Sequence, residues 1–145
     1  MKFNRWPLLA ALVLSTSSGF SWGQNLLLGP PPDPNLREVS MVRQDFSDCS
    51  NGNVSPGVVG GTAWVVRGSD GVTRVKLGIT AKPNTTYHFF LKCIRILGDI
   101  TTQDEGEGIA TFDFRTNEVG NVYAFDMYPE GAPAGNKYQS VQVKF

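Results

Sequence analysis

Between Pro83 and Ile96 the chain reads Pro-Asn-Thr-Thr-Tyr-His-Phe-Phe-Leu-Lys-Cys-Ile-Arg-Ile, with bulky side chains on both parities. Tyr87, Phe89, Leu91 and Cys93 share one face at period two. His88, Phe90, Lys92 and Ile94 share the other. A run with large apolar groups on both sides reads as a central strand covered on both faces. It is the longest strand-like stretch in the chain, so the remaining elements are expected to assemble around it.

The rest of the sequence is short alternating runs cut by turn residues. Val39 and Met41 alternate with Ser40 and Val42 from Glu38 onward, and Ser47–Asn53 is a polar loop. Thr62–Arg67 and Val72–Thr80 are strands joined by Gly68-Ser69-Asp70-Gly71, whose Gly and Asp supply the positive φ of a hairpin turn. Val75, Leu77 and Ile79 point one way in the second of these. Leu97-Gly98-Asp99 reads as an interruption, and Ile100–Thr102 as extended. Ile109–Arg115 places Ala110, Phe112 and Phe114 inward; Val122–Tyr128 does the same with Tyr123, Phe125 and Met127. Lys137–Phe145 closes the chain with Val141, Val143 and Phe145 on one face. No segment sustains a 3.6-residue apolar period. The pattern predicts an all-β fold, an antiparallel β-sandwich of about seven or eight strands.

The first residues read as an export signal. Lys2 and Arg5 precede a short apolar run from Leu8, and Ser21-Trp22-Gly23 has small residues where a signal peptidase cuts. The domain expectation is therefore a signal peptide over 1–23, a proline-rich extended leader over 24–37 and a β-sandwich over 38–145. Prolines 30, 31, 32 and 34 forbid a helix in the leader and lack strand donors. The chain carries 13 basic and 13 acidic residues, and loss of Lys2 and Arg5 leaves it slightly acidic. Nothing in that balance suits nucleic acid, and no later apolar run is long enough to cross a membrane as a helix. The expected location is exported, periplasmic or extracellular.

Two cysteines in an exported chain predict one disulfide, Cys49–Cys93, since only one intramolecular pairing exists. Closing that loop is worth about 4 kcal/mol in the chain-entropy model.

Lys82-Pro83-Asn84-Thr85-Thr86-Tyr87 resembles the Pro-x-Thr-x-Tyr entry into a strand seen in fibronectin type III and related Ig-like domains. The resemblance implies that Tyr87 is a corner tyrosine whose hydroxyl ties back to the backbone. Thr101-Thr102-Gln103-Asp104-Glu105-Gly106 is similar to a turn of exported Ig-like modules. The order Cys49, Trp64, Cys93 resembles that of immunoglobulin domains, although Cys49 sits in a polar loop. The resemblance is to Ig-like and fibronectin-III-like sandwiches at large.

The catalytic inventory is sparse. His88 is the sole histidine, and with both cysteines in a disulfide it makes no zinc site of the usual kind. No Gly-x-Ser-x-Gly occurs. No cofactor site and no catalytic residue are assigned. Asp99, Asp104, Glu105 and Glu107 form the one dense acidic group, a weak calcium candidate whose spacing is not that of an EF-hand. Trp64, Tyr128 and Tyr138 are the candidate ligand-facing aromatics, of the kind that make sugar platforms on sandwiches. Asn53 and Asn84 each open a glycosylation sequon. The function expected is an exported, non-catalytic β-sandwich module with a binding or structural role at the cell envelope or outside the cell, its partner a protein or a glycan. A glycan-binding module is the alternative, and a small secreted hydrolase using carboxylates the further one.

Overall fold

Alternation and turn chemistry build ten strands and one 3-10 turn in the computed structural model, which describes residues 33–44, 49 and 57–145. The signal peptide, most of the leader, the polar loop other than Cys49, and Asn53 lie outside the described residues. The strands are β1 (Leu36–Arg43), β2 (Val59–Arg67), β3 (Val72–Thr80), β4 (Thr86–Leu91) and β5 (Arg95–Thr101). They continue with β6 (Glu107–Arg115), β7 (Val122–Tyr123), β8 (Phe125–Pro129), β9 (Tyr138–Ser140) and β10 (Val143–Lys144). Thr116–Glu118 is the 3-10 turn.

Eight strands hydrogen-bond in the order β5-β4-β8-β9-β1-β2-β3-β6, and β7 pairs with β10 apart from them. Every pairing is antiparallel. The long sheet folds over on itself at the short β1–β9 ladder, where Met41–Arg43 meet Ser140–Tyr138. This makes two layers, β6-β3-β2-β1 and β9-β8-β4-β5. Rings meet across the space between them: Phe89 on β4 lies 4.9 Å from Phe112 on β6, and Phe114 on β6 lies 6.3 Å from Phe125 on β8. The arrangement is an all-β sandwich stapled by a Cys49–Cys93 disulfide.

The inward parity of each strand forms the core: Val39 and Met41, Ala63 and Val65, Val75 to Ile79, Tyr87 to Leu91, Phe112 and Phe114, Phe125 and Met127. These are the faces that alternation marks. The Gly68–Gly71 turn joins β2 to β3 as the expected hairpin, with Arg67 opposite Thr73; of the turn residues only Gly71 takes a positive φ, 76°, and Asp70 does not.

Three segments depart from the expected boundaries. The strand from Pro83 ends at Leu91 rather than continuing to Ile96. Cys93 adopts φ of 57°, and the Ile94 N–H donates to the Leu91 carbonyl at 2.9 Å, so the chain reverses there into β5. Cys93 therefore sits at a hairpin tip, not on the Tyr87–Phe89–Leu91 face. Leu97-Gly98-Asp99 lies inside β5. Phe89 faces Gly98 and Phe90 faces Ile96, leaving Leu97 as the extra residue of a bulge. Finally, β1 begins at Leu36, within the stretch read as leader, because Leu36 and Arg37 pair with Val66 and Val65.

The Tyr87 hydroxyl ties back to the backbone as the corner resemblance implies. It accepts the Lys82 N–H at 3.1 Å. No helix among the described residues is long and apolar enough to cross a membrane.

Candidate functional site

β4 is flanked by β5 and by β8, and only its Tyr87–Phe89–Leu91 face is buried; the cover expected on its second face is not seen among the described residues, and His88 and Phe90 stand half-buried on an outer face. Register decides what they meet. Phe90 lies opposite Ile96 on one side and Asp126 on the other; His88 lies opposite Asp99 and Tyr128. The diagonal neighbours Phe90 and Tyr128 stack, with centroids 4.6 Å apart and planes 20° from parallel. His88 stands edge-on to Phe90 at 6.4 Å. Past Phe90, Ile94 and Ile96 leave 51% and 46% of their surface in solvent, so apolar surface continues beyond the aromatic pair.

Phe90, Tyr128, Ile94 and Ile96 border a groove of about 580 Å³, which Ala132, Lys137 and Gln139 also line. That volume lies within the roughly 300–1,000 Å³ typical of small-molecule sites. Beneath it, Lys92 is buried to 1% side-chain exposure; its Nζ donates to Gln139 Oε1 at 2.6 Å and lies 3.8 Å from Asp126 Oδ1. A buried ammonium needs such partners, because desolvation alone costs several kcal/mol. The Lys92 N–H also donates to the Ala124 carbonyl at 3.0 Å, fixing the turn between β4 and β5 against β8. The groove is thus apolar along one wall and polar at its base.

Tyr128 borders it, and His88 stands next to Phe90 outside the lining. Burial, with the Asp126 carboxylate adding to it, raises the Tyr128 phenol above its ordinary value, so the hydroxyl stays protonated and can donate. His88 is raised above its ordinary value mainly by its hydrogen bond to Asp99, against the opposing effect of burial. Its Nδ1 lies 2.7 Å from Asp99 Oδ1 and its Nε2 lies 3.2 Å from Glu130 Oε2.

The three aromatics singled out from the sequence separate. Tyr128 borders the groove. Tyr138 belongs to the core, edge-on to Tyr87 at 6.1 Å, with its ring pressed on the Gly60 backbone so closely that a Cβ there would overlap it. Tyr138 nevertheless lines the groove too. Trp64 lies on the outer face of the other layer, its ring over Gly78 and the Lys76 ammonium 6.0 Å from its centroid.

The four acids separate as well. Asp99 is bound to His88; Asp104 and Glu105 lie exposed at the turn before β6; Glu107 begins β6 opposite Thr80. Among the described residues no group of three or more His, Cys, Asp or Glu side chains could hold a metal ion. Asn84, of the second sequon, is exposed at a turn with φ of 48°.

Phe90, Lys92, Ile96, Asp126 and Gln139 were not singled out from the sequence. Parity does put Phe90 on the face opposite the core. The signal for the groove is that an outward Phe and an outward Tyr occur in two different strands, and only the β4–β8 register places them side by side.

Comparison with protein-family models, with curated proteins and with solved structures gave no significant match to this chain.

Proposed function

We propose that the chain is an exported, non-catalytic β-sandwich module that binds a glycan at the cell envelope or outside the cell, in the groove beside Phe90 and Tyr128. One observation carries the reading: the stacked Phe90–Tyr128 pair forms the wall of a groove whose base holds an amide and a carboxylate. A sugar ring offers C–H faces to aromatic rings and hydroxyls that both donate and accept. Tyr128 can donate, Asp126 can accept, and Gln139 can do either. The disulfide supports an exported location. Asp126 is the one acid among the described lining residues, so the pair of carboxylates that glycoside hydrolysis uses is not assembled there.

The test is titration of the protein with neutral and acidic oligosaccharides of four to six units, followed by NMR of the Phe90 and Tyr128 ring protons. Saturable shifts at these rings, lost in Tyr128→Ala while Trp64→Ala keeps them, would bear the reading out. Saturable shifts confined to the Trp64 ring would move the site to the other layer. No shift with any sugar, but shifts at both groove rings with an extended peptide, would replace the glycan by a protein partner.

A further inference from the structure

The loop 130–136 follows β8, and its Ala132 forms part of the groove wall. Two side chains from the start of β4 hold this loop. The Tyr87 hydroxyl donates to Asn136 Oδ1 at 2.6 Å, near the loop's end, and His88 Nε2 meets Glu130 Oε2 at 3.2 Å, at its beginning. We propose that His88 is a proton-operated latch on this wall: as imidazolium it holds the Glu130 end of the loop, and as neutral imidazole it releases it. The proposal rests on the reading of the groove as the binding site and adds its regulation by pH.

The argument is one of donor counting. His88 lies between two carboxylate oxygens, 2.7 Å from Asp99 and 3.2 Å from Glu130. An ionised carboxylate only accepts, and a neutral imidazole donates from one nitrogen alone. Both bonds therefore coexist only in the cation. When the proton leaves Nε2 for solvent, Nδ1 keeps its proton and the shorter bond to Asp99. The Nε2 lone pair then faces the Glu130 oxygens, and the contact that held the loop becomes repulsive.

The charged groups facing the ring are Asp99 from β5 and Glu130 from the segment after β8; Phe90 beside it and Tyr128 opposite are uncharged near neutrality. Both carboxylates favour the cation, so release falls above the ordinary histidine range. The imidazole is held from one side by a strand and from the other by a loop, so only the loop is free to move. Glu130 is 96% exposed, which makes the latch a light one. An exposed pair of this kind changes an equilibrium by about two- to fivefold.

Because His88 is the only histidine, one imidazole resonance reports it without ambiguity. The experiment is an NMR pH titration of the ligand-free protein from pH 5 to pH 9, following the His88 ring and the backbone amides of Gly131 and Ala132. Both amides are expected to titrate with the His88 midpoint. In Glu130→Gln, an exposed change that leaves the fold intact, His88 is expected to titrate at lower pH while the amides no longer follow it. Protection of the Ala132 N–H, which donates to the Pro129 carbonyl at 2.9 Å, should fall about two- to fivefold above the midpoint in the unaltered protein only. Amides that stay flat while His88 titrates, or that follow it equally in Glu130→Gln, would overturn the latch. No sugar enters this experiment, so its outcome is independent of whether the groove binds glycans.

Discussion

Tyr87 and Asn136 lie 49 positions apart and share a 2.6 Å hydrogen bond from the phenol to the carboxamide oxygen. The same hydroxyl accepts the Lys82 N–H, so one buried oxygen joins the entry of β4 to the end of the loop that walls the groove. Tyr87 is fully buried, whereas Lys82 is exposed and Asn136 half-buried.

Tyr87→Phe should therefore destabilise the fold by about 1–3 kcal/mol, the loss of two hydrogen bonds worth about 0.5–1.5 kcal/mol each. The ring still fills its place, so the circular dichroism of the native state should not change. Urea denaturation measures the loss. An unchanged midpoint would mean that both partners recover their bonds elsewhere.

Cys93→Ser, or reduction of the native protein, should cost about 2–5 kcal/mol. The disulfide spans 44 positions and ties Cys49 to the β4–β5 hairpin tip. Thermal melting with and without reductant is the check, and coincident curves would contradict the staple.

Acid should weaken the protein in a defined window. Asp70 is lowered to about 2 by its hydrogen bond with Arg74 and by the Val72 N–H; Glu118 is lowered to about 2 by Arg95 and by the Arg115 N–H. Both carboxyls have folded values below their unfolded ones of 3.8 and 4.5. Their stabilisation is thus complete above the unfolded values and is lost as pH falls toward about 2. Asp70→Asn and Glu118→Gln should each flatten the dependence of the melting temperature between pH 5 and pH 2. A slope unchanged in both variants would show that other acids govern it.

His88 acts in the opposite sense. Its folded value is raised, so its contribution is complete below the ordinary histidine value and is lost as pH rises through the folded one. Asp99→Asn removes the larger cause and should bring the His88 midpoint back toward 6.5. A midpoint that does not move would place the cause elsewhere.

Gly106→Ala should be poorly tolerated. Gly106 has φ of 83°, and a Cβ there would run into the Ala81 carbonyl oxygen, which accepts no displacement without moving the backbone. The φ alone costs an alanine about 1–3 kcal/mol, before that collision is added. Denaturation of the variant measures it, and a loss below this range would mean that the turn rearranges freely.

Much of the architecture was legible because a strand reports its own faces. Val75, Leu77 and Ile79, or Phe112 and Phe114, show by alternation which side is buried, and each indeed lies in the core. The Gly68–Gly71 turn announces a hairpin because Gly71 accepts its φ of 76°, and two cysteines admit one intramolecular pairing. The Tyr87 tie to the backbone was legible only through the resemblance of Lys82–Tyr87 to the strand entry of Ig-like domains; its partner proved to be the Lys82 N–H. The end of β4 was not, since Lys-Cys-Ile-Arg-Ile continues the β pattern while contacts with β8 turn the chain.

The sequence by itself determined that the chain is a layered antiparallel fold with one disulfide, and, in strands such as β3 and β6, which residues face outward. Only the tertiary structure decided which outward residues are neighbours. Phe90 and Tyr128 meet because β4 pairs with β8, a contact between distant segments whose register is set by the packing of both inner faces. Trp64 fell on the other layer and Tyr138 into the core, although their local patterns did not tell them from Tyr128. Period-two alternation encodes the side of the sheet a residue takes; its partner across the sheet depends on strand order, which many distant contacts settle together.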